Sequence, residues 1–587
     1  MNLTLKKSVA LFGSMLMLSS AALSAAAPFA QAEGEMPNIE LAVSREGDAI
    51  EGGEFRYALV GDPFSGILNP MYWSGKPDGT LVDFFSESLY GYDENFLIDD
   101  SGFAKVEFHD DEKAVTITIP QDVKWPDGEP VTIDDVIAPY EIVGHPEYTG
   151  IRYGKGYVDV KGMEAYKKGD ADTIEGLERV DDYTLKVHYE NYNNSIRQAG
   201  GAIASVIQPA HIVKDIDIET FEDSDFVRKN PMGLGPFKVE SITPGEAITF
   251  VPNENYWRGD VTVDKLIVEV VNPTAVVQEL KAGNYDVATL PADQYETFKD
   301  ATNFDVVGNV DNAYSYVGFK LGTADEETGE AKPDESKVTW NKALRQAMAH
   351  AIDFDAVGEK FYQGLRFRAE SPIIPLFGDL HKAQDGNVYD EELANKILDD
   401  AGFKDVDGDG FREDPNGEAF TLQFAAMAGS EVAEPETQYY MEQWKNIGIN
   451  VELVDGRLLE FNAFYDRLEE DDPAFDVYLA AWGTGGDPNP HTFYGRDGSM
   501  NYTRWATEEN DKLLEAIGSS DAFDEDFRVK AYGDWQDYMN EEMPIIPTLY
   551  RYTLTGVNKR VSNWDTQIGS NLNWTEIKLL ADAPAKE

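Results

Sequence analysis

Between residues 390 and 455 the apolar residues switch repeatedly between a helical and a strand period, and that alternation narrows the available folds more than any other feature. Leu393, Ala394, Ile397, Leu398 and Ala401 recur at helical spacing, with Gly402 placed to cap the last turn. Phe420-Thr421-Leu422-Gln423-Phe424 then alternates as a strand. A second helical run ends near Trp444 and Ile447, and Ile449-Asn450-Val451-Glu452-Leu453 alternates again. Strand, helix and strand at this spacing predict a parallel crossover and therefore an α/β fold.

Other segments agree with that class. Val115 to Ile119 alternates as a half-buried strand, and Ala247 to Val251 and Leu266 to Val271 read as further strands. The last is followed by a helical stretch carrying Val276, Val277 and Leu280. From Asn341 to Ile352, the residues Leu344, Ala347, Met348, Ala351 and Ile352 make one apolar stripe, which puts Lys342 and Arg345 on the expected wet side. At 587 residues the chain exceeds the roughly 250–300 at which a single core stops growing, so several domains are expected. No internal repeat suggests a solenoid or propeller.

The N-terminus reads as an export signal. Lys6 and Lys7 precede an uncharged apolar run from Val9 to Ala22, and Ala30-Gln31-Ala32 matches a small-residue cleavage pattern before Glu33. Residues 1–32 are therefore expected to be removed and the protein to work outside the cytoplasmic membrane. Charge points the same way: 49 Lys and Arg against 108 Asp and Glu give a net −59. So acidic a surface stays hydrated outside the cell and repels nucleic acid, which is not an expected partner. With no cysteine, the chain has no disulfide, thiol nucleophile or thiolate metal site.

Catalytic signatures are missing. There is no His-Glu-x-x-His helix and no Gly-x-Ser-x-Gly elbow, and Gly75-Lys76 lacks the upstream glycine of a phosphate loop. The seven histidines are scattered, and His350, on the amphipathic helix, reads as structural. A hydrolase using a carboxylate pair stays open as an alternative, because so many acids offer pairs without singling one out. One segment has the logic of a calcium loop. Asp405, Asp407 and Asp409 stand at positions 1, 3 and 5 before Gly410, with the Phe411 carbonyl at 7 and Glu413 at 9. Position 12 is Asn416 instead of a bidentate Glu. The expectation is a structural Ca²⁺ with no catalytic role, against an Asp- and Gly-rich surface turn; no other cofactor is required. Three turns join aromatics to glycine or proline: Trp125 to Gly128, Tyr256 to Gly259 and Ala481 to Pro488. Together they suggest a cleft with aromatic walls.

Several ordered motifs resemble the extracytoplasmic solute-binding proteins of the oligopeptide/dipeptide/nickel ABC-transporter family, family 5. They run from Val123-Lys124-Trp125-Pro126-Asp127-Gly128 to Val136, through Gly233-Leu234-Gly235-Pro236-Phe237-Lys238 and Asn255-Tyr256-Trp257-Arg258-Gly259. Leu280 to Asp286, Leu344 to Asp353 and Met543-Pro544-Ile545-Ile546-Pro547 complete the order. The stretch His145 to Tyr153 is most similar to Gram-positive oligopeptide-binding members.

That resemblance implies an α/β, two-lobed periplasmic-binding-protein-like fold with an additional domain, three domains in all. Domain I would comprise 33–82, 210–310 and 546–587, domain II 83–209, and domain III, the second lobe, 311–545. It implies no enzyme activity: a monomer would close by a hinge around an extended oligopeptide and deliver it to ABC permease subunits. Oligosaccharides and metal chelates are the alternative solutes. Two departures stand out. Gram-positive relatives carry a lipid-anchoring Cys where Ala26 follows Leu23-Ser24-Ala25, so this protein is expected at the extracellular face without a lipid anchor. Relatives also bind the peptide ammonium through an Asp three residues after a Trp resembling Trp482, where this chain has Gly485. Asp487 is the expected substitute, with Trp482 and Gly485 shaping that corner. The acidic surface would steer cationic peptides toward the cleft.

Overall fold

Two strands much longer than the rest organise the chain: Phe304–Phe319, of 16 residues, and Ile545–Asn558, of 14. At about 3.3 Å per residue the first spans about 50 Å, more than one small domain needs. They run antiparallel from Phe304 opposite Asn558 to Gly318 opposite Ile545, with register shifts between Val310 and Tyr314 and between Tyr314 and Tyr316. Before the shifts, Ile545–Asn558 also pairs Val287–Leu290 through Leu554 to Val557. Beyond them, Ala313 to Phe319 pairs Val477–Gly483. Both long strands therefore leave one half of a sheet and enter the other. The structure, a computed structural model, describes residues 39–154, 156–570 and 572–587. The export segment expected at 1–32 lies outside them. Among the described residues no helix is long and apolar enough to cross a membrane.

The resulting sheet has eleven strands. Its order is Val451–Leu453, Leu422–Ala425, Val477–Gly483, Phe304–Phe319, Ile545–Asn558, Val287–Leu290, Glu54–Val60, Lys265–Val271, Ala247–Pro252 and Phe237–Thr243, with Arg366–Arg368 added against Ile545–Asn558. The expected crossover is present: Leu422–Ala425 lies parallel to Val451–Leu453, with helix Ala433–Asn446 between them in sequence. Glu54–Val60 is likewise parallel to Lys265–Val271 and Val287–Leu290. A separate four-stranded antiparallel sheet is built from Lys105–His109, Ala114–Thr118, Thr184–His188 and Leu177–Asp181.

Aromatic side chains fill the cores. Trp125, Trp444, Trp505 and Trp535 are fully buried, each removing a large apolar area from water. Behind Glu54–Val60, Phe55 meets Trp574 edge-on at 5.1 Å and stacks on Trp564 at 5.9 Å. Helix Lys342–His350 buries the expected stripe, but Arg345 is not on the wet side. It is 2% exposed, and its guanidinium donates to the carbonyls of Thr339 at 2.8 Å and of Met543 at 3.0 Å. Met543 closes helix Glu525–Glu542, whose last carbonyls have no partner within the helix, and Arg345 supplies the donors.

Candidate ligand cavity

A half-open cavity of about 1100 Å³ is assembled from segments that are far apart in sequence. One wall begins with helix Lys76–Asp83. Its first-turn Asp78 is buried and accepts from the amides of Ser65 and Ile67, both at 2.9 Å, which suits a carboxylate at the positive end of a helix. Gly79 leaves room for Trp73, whose ring would lie 3.0 Å from a Cβ at that position. Trp73 in turn carries Arg152, whose guanidinium sits 4.2 Å from the ring centroid and donates to the Trp73 carbonyl at 2.8 Å. Aromatic lining continues through Tyr57, Phe84, Tyr92, Trp564 and Trp574.

Four charged groups, Asp83, Glu87, Arg152 and Arg258, reach this wall. Arg258 lies over Trp257 at 4.2 Å, donates to the Ser101 carbonyl at 2.9 Å and stands 3.4 Å from Glu87. Burial pushes the Glu87 carboxyl up, and Arg258 opposes that shift. Burial also pushes Asp83 up, to about 7. Gly200 and Gly201 leave part of the wall without side chains. A half-open cavity of mixed charge and aromatic faces, larger than most small-molecule pockets, suits a sizeable polar ligand.

The residues singled out in the sequence fall in different places. Gly485 is on the cavity wall, where its φ of +68° favours glycine although the space around it is open. The Thr484 amide donates to the Asn312 carbonyl at 2.9 Å and ties this loop to the strand Phe304–Phe319. Trp482 packs instead into an aromatic cluster, stacked on Tyr316 at 5.9 Å and tilted against Phe493 at 4.7 Å. Asp487 is 5% exposed and accepts from the Asn489 amide at 3.1 Å. Burial pushes the phenol of Tyr90, a cavity residue, up to about 12, and the Asp487 charge adds a small part of that rise. Of the three aromatic turns, Tyr256 and Arg258 line the cavity, whereas Trp125 is buried with its indole donating to Asp135 at 3.1 Å. Asp83, Glu87, Trp73, Trp564 and Trp574 carry no local motif and were not anticipated, and Arg152 lies in the stretch His145 to Tyr153 but was not read as a cavity residue.

The loop at 405–413 lies elsewhere. Carboxylate oxygens of Asp405, Asp407 and Asp409 lie within 4.8 Å of one another and are exposed. Asp405 accepts from the amides of Gly408 at 2.6 Å and Gly410 at 3.1 Å, while Glu413 accepts from the Val406 amide at 2.7 Å. Half-buried Phe411 donates its amide to Asp409 at 2.8 Å. This all-oxygen donor set fits a hard cation such as Ca²⁺.

Fold and cavity together define a binding protein whose cavity wall comes from residues 57–258 and 564–574, with Gly485 reaching it from the segment between the two long strands. The family described as bacterial extracellular solute-binding proteins, family 5 Middle, matches residues 102–503, and the chain belongs to that family. Oligopeptide-binding protein OppA of Lactococcus lactis subsp. lactis (strain IL1403) is 30% identical over 510 residues, covering 85% of this chain and 84% of that protein. Oligopeptide-binding protein AppA of Bacillus subtilis (strain 168) is 26% identical over 480 residues, covering 80% and 81%. The solved structure of lactococcal OppA, complexed with an endogenous peptide in the closed conformation, superposes with a TM-score of 0.82 at 28% identity, covering 90% of this chain and 100% of that one. The architecture is thus the expected two-lobed α/β fold with an additional domain.

Proposed function

We propose that this protein binds oligopeptides outside the cytoplasm and hands them to the permease of an ABC importer, without chemical turnover. The observation that carries this reading is the half-open cavity of about 1100 Å³, whose walls combine aromatic faces, both signs of charge and glycine backbone. An extended peptide offers main-chain donors and acceptors at every residue, and a roomy wet enclosure accepts varied side chains. Membership of an extracellular solute-binding family and the likeness to two oligopeptide-binding proteins support the same conclusion.

The finer parts belong to the same proposal. Residues 1–32 act as the export signal, and the protein is a monomer that works at the extracellular face of the cytoplasmic membrane. Domains divide at 82/83, 209/210, 310/311 and 545/546, so that the long strands are the crossings and a hinge there closes the cleft. Asp487 pairs with the peptide ammonium, and Trp482 and Gly485 shape its corner. Asp405, Asp407, Asp409, the Phe411 carbonyl and Glu413 hold a structural Ca²⁺, whose addition should raise the melting temperature of the parent but not of Asp405→Ala.

Mass spectrometry of material released by denaturing the purified protein tests the main reading. A ladder of short peptides is expected. Oligosaccharides, a metal chelate, or turnover of a chromogenic glycoside or peptide would overturn it.

A further inference from the structure

Asp83 is the last residue of helix Lys76–Asp83, and that final turn contains no basic residue. A carboxylate there faces the negative end of the helix dipole, the reverse of Asp78 in the first turn. Asp83 is exposed, but its exposure is to the cavity, whose wall it forms. The surrounding protein is close enough that burial alone pushes its carboxyl up to about 7. Among the described residues no cation pairs with it. The other three charged groups of the wall are engaged: Glu87 with Arg258, and Arg152 with Trp73 and its carbonyl. After burial, the Asp83 charge also raises the phenols of Tyr57 and Tyr92, which marks them as its neighbours. Tyr57 meets Phe84 edge-on at 5.3 Å, and Phe84 meets Trp574 at 6.0 Å, so the cavity wall that holds Asp83 is largely aromatic.

An acid at the negative helix end and without a counter-ion gains nothing from either interaction. Such local conflict is expected where a ligand resolves it. A cationic chain would pair with the carboxylate, lay its apolar stem along the rings and gain from their negative faces.

We propose that Asp83 is a specificity-determining residue that receives the cationic side chain, lysine ammonium or arginine guanidinium, of a bound peptide. This rests on the peptide-binding reading above and goes beyond it by assigning a side-chain preference to one wall of the cavity.

The test is calorimetric titration of the parent and of Asp83→Asn with two matched peptides, one containing lysine and the other norleucine, each with a free and an acetylated N-terminus. The parent should prefer lysine by about tenfold or more, whether or not the N-terminus is acetylated. In Asp83→Asn that preference should disappear while norleucine peptides keep their affinity, which also shows that the variant folds. The parent's preference should grow as pH rises through about 7, as the carboxyl loses its proton. Glu87, Arg152, Arg258, Tyr57 and Tyr92 face the same space in both proteins, so the part of the pH dependence lost in the variant belongs to Asp83. Equal weakening of both peptides, a lysine preference that survives the substitution, or a preference that follows the free N-terminus would overturn the assignment. Failure of the parent to bind any of the four peptides would overturn the peptide reading and this assignment with it.

Discussion

Arg528 donates from Nη1 to Oδ1 of Asn194 at 2.9 Å, joining helix Glu525–Glu542 to the segment that follows the four-stranded sheet. Nearby, Phe523 stacks on Tyr192 at 5.6 Å, and on a second line of contact Phe96 meets Phe377 at 5.6 Å. These contacts link residues that no strand connects, so they are available to break when the cavity opens. Removing a hydrogen bond from a charged donor costs about 1.5–3 kcal/mol. Arg528→Ala should therefore weaken peptide affinity about tenfold, mainly through faster release. Stopped-flow and calorimetric measurements check this; unchanged affinity and release would remove the contact from any role in closure.

Asp286 and Arg560 form a buried pair of a different kind. They are 0% and 4% exposed, and Arg560 Nη2 donates to Asp286 Oδ2 at 2.7 Å while Nε donates to Oδ1 at 2.5 Å. The carboxylate also accepts from the Arg56 amide at 2.8 Å, which locks two strands of the large sheet together. Asp286→Ala leaves a buried guanidinium without its charge partner and should cost about 3–5 kcal/mol. Chemical denaturation should show the loss, with peptide affinity retained below the transition.

Glu370 sets an acid limit. The hydrogen bond from His381 is the largest influence holding its carboxyl below the ordinary 4.5, and Arg368, at 2.9 Å, adds to it. The unfolded chain therefore takes up this proton first as pH falls. The stabilisation is complete above about 4.5 and is lost as pH falls through the lower folded value. Glu370→Gln should be less stable than the parent at pH 6, and the difference should shrink by pH 3. A constant difference across that range would exclude this linkage.

Asp487→Asn separates the end of the peptide from its side chains. If Asp487 takes the terminal ammonium, the substitution should weaken free peptides by about tenfold and leave their acetylated forms unaffected. Equal effects on both would point to packing around Tyr90 and Tyr532 instead, the two phenols that register this buried charge.

Much of the local structure was legible because period and capping are short-range properties. The crossover from Leu422–Ala425 to Val451–Leu453 and the buried stripe of Lys342–His350 follow from spacing alone. Gly402 caps its helix with φ near +95°, where residues with a Cβ are strained. Arg345 was misplaced because its partners are backbone carbonyls, some just before its own helix and others at the end of a helix about 200 residues later, and no side-chain period encodes them. Among the cavity residues, the Tyr256-Trp257-Arg258-Gly259 turn was visible as a cluster, and two of its four members, Tyr256 and Arg258, reach the wall.

The order of secondary structure, the acidity, the absence of cysteine and the family motifs are properties of the chain read residue by residue, and they survive without coordinates. The environment of a charge does not. Asp78 and Asp83 lie five positions apart on one helix and are chemically identical, yet one is satisfied by two backbone amides and the other faces the cavity without a cation. Folding brings Ser65 and Ile67 to the first, and Tyr57 and Tyr92 to the second. Desolvation and counter-charge depend on which distant segments arrive within a few ångströms, so only the tertiary structure distinguishes the structural acid from the one we assign to the ligand.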